Sequence, residues 1–191
     1  MTPRLMLPTK LLVPVVGMVS FAILLLITFI AGLLKVLNPH GGPPAHWLVI
    51  VCFALAWYDL STAWLAQRVT YPLFAYVDRG TFAAYHATYD ERIPFPVILP
   101  AVLLMNASVL LVWRHPAAVS NWAVWMGVSL QLVIALSTAL LQVPAHRQLE
   151  LNAFSSQIHN RLVSTSWIRT AAYSAHALLM AWMIFQDVGS T

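Results

Sequence analysis

Histidines and carboxylates recur at helical spacing in two polar segments of the sequence. His86 lies four residues before Asp90, and His146 lies four residues before Glu150. Residues four apart share one face of a helix, so each pair sets an imidazole beside a carboxylate. Together these groups are adequate ligands for iron, manganese or zinc. The four residues are candidate metal ligands, although a solvated interfacial ion pair at each position is the simpler interpretation and the one we prefer.

Two charged residues belong to long apolar runs, where an isolated charge is costly. Asp59 lies within one run, and Arg169 lies near the start of the last run. The simpler interpretation is a structural ion pair between Asp59 and Arg169, because a buried charge needs a partner. In the alternative, both residues join His86 and His146 around a catalytic pocket that faces the cytoplasm.

Polar side chains form stripes on the last two apolar runs. On the last run, spacings of three, four and three place four of them on one helix face: Ser166, Arg169, Tyr173 and His176. The preceding run carries Gln131, Thr138 and Gln142. Such stripes line a small cavity or, more often, form hydrogen bonds between helices. His176 is also a candidate axial ligand for a tetrapyrrole, because neutral imidazole is a good ligand.

The composition of the chain excludes an ordinary soluble domain. Of the 191 residues, 60% are hydrophobic and 8% are charged, against about 25% charged in soluble proteins. Backbone groups in lipid must be satisfied within the chain, so the predicted fold class is an all-α integral membrane protein. Basic residues are scattered singly, which argues against a nucleic-acid partner. The lipid bilayer is the expected surroundings, and pigment or lipid contacts are left open.

Apolar runs position the candidate residues. Five runs have the length of about 20 residues that a bilayer requires: 11–37, 46–67, 95–113, 121–143 and 166–185. They predict a four-helix membrane bundle over 45–191 and an additional N-terminal helix and turn over 1–44. Prolines predict that the second run breaks near Tyr71-Pro72 and that the fourth ends at Pro144. Residues 68–94 and 145–165 are predicted as interfacial segments.

Basic residues also predict the orientation of the helices. Eight of the 10 lysines and arginines fall on one side, and such residues are retained on the cytoplasmic side. The N-terminus and the segments 68–94 and 145–165 are therefore predicted to be cytoplasmic, with the C-terminus outside. The expected location is a bacterial inner membrane.

Several short motifs resemble a known family. They are Tyr71-Pro72-Leu73-Phe74, Phe82 with Tyr85-His86, Gln142 to Arg147 with Leu149, and Trp167 to Ala172. Over residues 57–185 the chain resembles bacterial multi-pass membrane proteins that are distantly similar to the anthrone-oxygenase-like group. The resemblance implies a four-helix membrane bundle. The chain departs from the family pattern at Ser166, where asparagine is usual, and at His176, where arginine is usual.

Two functions fit the sequence. The preferred one is a noncatalytic accessory subunit of a larger membrane complex, either photosynthetic or respiratory, because the chain adds a helix and lacks a recognisable catalytic motif. Other integral membrane proteins are then its expected partners. The alternative is a small membrane oxidoreductase or oxygenase that acts on a hydrophobic, quinone-like substrate. It would use His86, His146, Asp59 and Arg169.

Overall fold

The structure, a computed structural model, describes residues 45–152 and 154–189. Within these ranges the chain forms helices and no strand. The helices are α1 (His46–Tyr76), α2 (Phe82–Arg92), α3 (Pro94–Arg114), α4 (Asn121–Leu151) and α5 (Ser156–Val188). The all-helical prediction is confirmed for this part of the chain. The predicted helix at 11–37 and the turn that follows it lie outside the described residues.

Three of these helices have the length and composition needed to cross a membrane. They are α1, α3 and α4, with 31, 21 and 31 residues, where about 20 suffice. Helix α5 is longer, at 33 residues, but it is not among them. Its polar stripe interrupts its apolar sequence, so the span predicted at 166–185 is more polar than the other three.

The four long helices surround one apolar core. Helix α1 packs against α3 and α5, and α4 packs against the same two helices. The core includes Cys52, Leu104, Val124 and Met180, all buried. At one end of the bundle the Ala45 N–H donates to the carbonyl oxygen of Arg114 at 2.8 Å. Helix α2 lies at the opposite end, where it packs against the last turns of α4.

Two prolines that were predicted to break or end their helices lie inside them instead. Helix α1 continues through Pro72 and α4 continues through Pro144. A wider π-helical turn precedes each proline, at Ala66–Thr70 in α1 and at Thr138–Gln142 in α4. Proline lacks an N–H and its ring crowds the carbonyl one turn earlier. A local π turn re-spaces the backbone bonds and relieves this conflict, so neither helix has to end.

The polar stripes form hydrogen bonds between helices. Three contacts connect them: Ser166 Oγ with Gln67 Oε1, Gln142 Nε2 with Thr165 Oγ1 at 3.2 Å, and Gln131 Nε2 with His176 Nε2 at 3.3 Å. Thr138 differs, because its hydroxyl donates to the Ile134 carbonyl of its own helix. These side chains therefore hold α5 against α1 and α4.

Helices α4 and α5 approach closely at Gly127. A Cβ at this position would lie 3.2 Å from Met180 Cε and 3.7 Å from His176 Nε2. We expect Gly127→Leu to lower the melting temperature in detergent, because overpacking costs about 1–3 kcal/mol. Helix propensity alone favours leucine over glycine by roughly 1 kcal/mol. A loss of stability in the variant would therefore come from steric overlap between α4 and α5.

The matched control for Gly127→Leu is Val133→Leu. Val133 lies on the outer face of α4, with 41% of its surface exposed. The control should leave the melting temperature unchanged. Equal melting temperatures for both variants would contradict the close packing of α4 against α5.

Candidate functional site

Two helices distant in sequence bring two imidazoles and a carboxylate together. His86 and Asp90 lie on α2, and His146 lies on α4 beyond Pro144. His86 Nε2 is 3.0 Å from His146 Nδ1. Asp90 Oδ2 is 3.3 Å from His86 Nδ1, and Asp90 Oδ1 is 3.9 Å from His146 Nδ1. One ligand atom from each residue lies within 4.8 Å of the others. We call these three residues the histidine cluster.

The π turns of α1 and α4 help to build this site. The turn in α1 is followed at once by Tyr71, and the turn in α4 is followed four residues later by His146. The rings of Tyr71 and His146 meet edge to face, with centroids 5.4 Å apart. A π turn shifts the register of every later side chain around the helix axis. The two turns therefore set the direction in which Tyr71 and His146 project.

A buried guanidinium adjoins the cluster. Arg169 of α5 donates from Nη2 to the Tyr71 hydroxyl at 2.9 Å, and its Nε has no hydrogen-bond partner. The same hydroxyl lies 3.4 Å from His146 Nε2. Both Arg169 and Tyr71 are buried. The phenol thus lies between a permanent cation, which donates to its oxygen, and an imidazole.

Aromatic rings enclose the histidines. Phe74 is fully buried and contacts the rings of both His86 and His146 edge-on. Tyr89 stacks on His146, with an interplanar angle of 14°. Burial is the largest effect on Tyr89 and raises its pKa above the usual value. The enclosure keeps water from most of the site, which strengthens electrostatic interactions inside it.

The contacts have a consistent direction when both imidazoles carry their proton on Nδ1. Tyr71 then donates to His146 Nε2, and His146 Nδ1–H donates to His86 Nε2. His86 Nδ1–H faces Asp90 at 3.3 Å, within ion-pair distance but not aligned as a hydrogen bond. Asp90 is 34% exposed. The series of groups therefore runs from a buried phenol to a carboxylate at the surface, as a proton relay requires.

The predicted ion pair between Asp59 and Arg169 does not form. Both carboxylate oxygens of Asp59 are buried without a hydrogen-bond partner, and Arg169 donates to Tyr71 instead. Helical side chains lean toward the N-terminus of their own helix. Contacts such as Trp64 with Ser174 show that α1 and α5 are antiparallel, so Asp59 and Arg169 lean in opposite directions. Asp59 thus lies outside the group that surrounds the histidines.

Glu150 was predicted to pair with His146, one turn away. The described group of potential metal ligands contains Asp90 of the other helix and does not include Glu150. Helix α2 packs against this part of α4, and its Asp90 carboxylate lies 3.9 Å from His146 Nδ1. The i, i+4 pairing of His86 with Asp90 is present, at 3.3 Å.

His176, the candidate tetrapyrrole ligand, is fully buried in contact with Gln131. Its surroundings include the close approach of Gly127 to Met180. Its Nδ1 is buried and has no hydrogen-bond partner. His176 lies outside the histidine cluster, and its role as a tetrapyrrole ligand stays a prediction.

Tyr71 and Tyr89 are site residues that the sequence analysis did not assign. Tyr71 appeared there only as part of a motif, and Tyr89 did not appear. The signal that could have found Tyr71 is Pro72, since a proline inside a helix indicates a local distortion that positions its neighbours. No comparable local signal exists for Tyr89, which contributes by stacking on a ring from another helix.

Comparison of the chain with protein-family models, with curated proteins and with solved structures found no match. The resemblance to the anthrone-oxygenase-like group therefore stays a prediction. The function has to be argued from the residues of the site.

Proposed function

We propose that this protein is a small membrane oxidoreductase that acts on a hydrophobic, quinone-like substrate at the histidine cluster. The observation that carries the proposal is the convergence of His86, Asp90 and His146 with Tyr71 and Arg169. Buried ionisable groups are costly in a bundle of this composition. Their assembly in one place, among aromatic rings, is typical of an active site.

The groups present suit the oxidation of a hydroquinone. The substrate loses two electrons and two protons and becomes a quinone. Dioxygen accepts the two electrons, takes up two protons from solvent and becomes hydrogen peroxide. His146 serves as the base that takes a hydroxyl proton, and the relay through His86 passes it toward Asp90, which releases it to solvent. Arg169 stabilises the phenolate oxygen that forms. These roles explain why a permanent cation adjoins the two imidazoles.

The setting of the site favours a substrate that partitions into the bilayer. The cluster lies at the end of the bundle where α1 and α4 extend beyond the roughly 20 residues that a bilayer requires. In our proposal this end faces the cytoplasm of a bacterial inner membrane, since most basic residues lie on that side. In our proposal α5 and the segment 11–37, which lies outside the described residues, also cross the membrane, so that the spans number five.

Turnover by the purified protein tests this function. The protein is incubated in nanodiscs with menadiol and dioxygen, and quinone absorbance and oxygen consumption are recorded. We expect His146→Ala and His86→Ala to lower the rate at least about 100-fold, the usual contribution of a positioned acid or base. His115→Ala is the matched control, because His115 bonds to Pro116 and Asn121 at the far end of the bundle. Wild-type rates in both cluster variants would overturn the proposal.

The accessory-subunit hypothesis also stays a proposal. It is favoured by a shallow apolar groove on the outer face of α4 and α5, lined by Trp122, Met126, Leu130, Ala175, Leu178, Leu179 and Trp182. Such a groove suits a lipid chain, a pigment or a helix of another membrane protein. Purification in a mild detergent, followed by mass spectrometry and an absorption spectrum, separates the two functions. Stoichiometric partner proteins support the subunit, and a lone active chain supports the enzyme.

A further inference from the structure

We infer that His86, Asp90 and His146 bind one divalent first-row transition-metal ion. Two imidazoles and one carboxylate are a ligand set suited to iron(II), manganese(II), cobalt(II) or zinc(II). The three residues come from α2 and α4, so the ion would also join these helices. The inference goes beyond the proposed function, and the binding does not depend on it. The ion would replace the hydrogen bond from His146 Nδ1–H to His86 Nε2, so the proton relay belongs to the metal-free protein.

The separations of the ligand atoms fit a single ion. Metal bonds to imidazole and carboxylate are about 2.0–2.2 Å long. Two ligands at a right angle are then about 3.0 Å apart, and tetrahedral ligands about 3.4 Å. His86 Nε2 lies 3.0 Å from His146 Nδ1, and His146 Nδ1 lies 3.9 Å from Asp90 Oδ1. One ligand atom from each of the three residues lies within 4.8 Å of the others. Small side-chain rotations would bring all three to bonding distance.

An unsatisfied nitrogen points to the same conclusion. His86 is fully buried, and its Nδ1 has no hydrogen-bond partner although an Asp90 oxygen lies 3.3 Å away. A buried polar atom without a partner is destabilising and calls for an explanation. An ion bound through His86 Nε2 would fix the His86 proton on Nδ1, where it faces the Asp90 carboxylate 3.3 Å away.

An outer shell for the ion is already in place. A ligating histidine usually donates its other ring N–H to an oxygen, which fixes its tautomer. When His146 binds through Nδ1, its Nε2 faces the Tyr71 hydroxyl at 3.4 Å. That hydroxyl is held in turn by Arg169. Asp90 is 34% exposed and offers a path by which the ion enters.

Metal titration of the purified full-length protein tests the inference. The protein is stripped with a chelator and titrated with cobalt(II), whose visible absorption bands report imidazole and carboxylate ligation. We expect one ion per chain in the wild type. Asp90→Asn and His146→Ala should weaken binding at least about 100-fold, since loss of even an outer-shell partner costs 10–100-fold. Asp90→Asn keeps the size of a half-exposed side chain, so it tests the site without loss of fold.

Glu150→Gln and His115→Ala are the matched controls for the carboxylate and the imidazole. Both should bind cobalt(II) as the wild type does. Absence of a stoichiometric ion in the wild type, or equal affinity in Asp90→Asn and His146→Ala, would overturn the inference. Hydroquinone turnover by the stripped protein, together with the absence of a stoichiometric ion after cobalt(II) titration, would leave the proposed function standing and refute the metal site alone. Metal binding without turnover would refute the function and leave the metal site standing.

Discussion

Arg169→Met is expected to lower hydroquinone oxidation at least about 100-fold while the melting temperature stays the same or rises. Loss of one donor to a developing oxyanion typically costs 10²–10³-fold in rate. Arg169 donates to Tyr71, and its Nε has no hydrogen-bond partner. Burying a guanidinium costs several kcal/mol, and an apolar replacement of similar size often recovers that cost. Activity should therefore fall while the melting temperature stays the same or rises.

The control for Arg169→Met is the same substitution at Arg161, which lies two turns earlier on α5 and is exposed. Arg161→Met should change neither the rate nor the melting temperature. Both quantities are measured on the same preparations in nanodiscs. A large fall in melting temperature for Arg169→Met, with activity lost in proportion, would show that Arg169 is structural rather than part of the active site.

Phe74→Ala is expected to destabilise the protein by about 3–5 kcal/mol, the usual cost of removing a buried phenyl ring. Phe74 is fully buried and contacts the rings of Phe82, His86 and Tyr89 on α2. Its ring is thus the main apolar contact between the end of α1 and α2. We expect the amides of α2 to exchange with solvent much faster in the variant, because its docking surface is lost.

Hydrogen exchange and thermal melting check the Phe74 prediction. Tyr76→Ala is the matched control, because Tyr76 belongs to the same helical turn and is 85% exposed. It should leave both measurements unchanged. If Phe74→Ala melted and exchanged like Tyr76→Ala, the packing of α2 on this ring would be refuted.

Local sequence pattern determined much of the helical framework. Apolar runs of spanning length predicted α3 at 95–113, against Pro94–Arg114 in the structure, and placed the start of α4 at Asn121 as observed. These boundaries depend on residues close in sequence: a run of apolar side chains, and the polar or proline residues that end it. The same local rule failed at Pro72 and Pro144. There a π turn and packing against neighbouring helices let the chain remain helical.

The site depended on tertiary structure. Sequence spacing paired His86 with Asp90 and His146 with Glu150, because an i, i+4 spacing relates residues of a single helix. The packing of α2 against α4 brings the Asp90 carboxylate to 3.9 Å from His146 Nδ1. Likewise, the antiparallel register of α1 and α5 separates Asp59 from Arg169 and brings Arg169 to Tyr71. Local periodicity carries no information about such registers, since they depend on contacts between residues 60 to 100 positions apart.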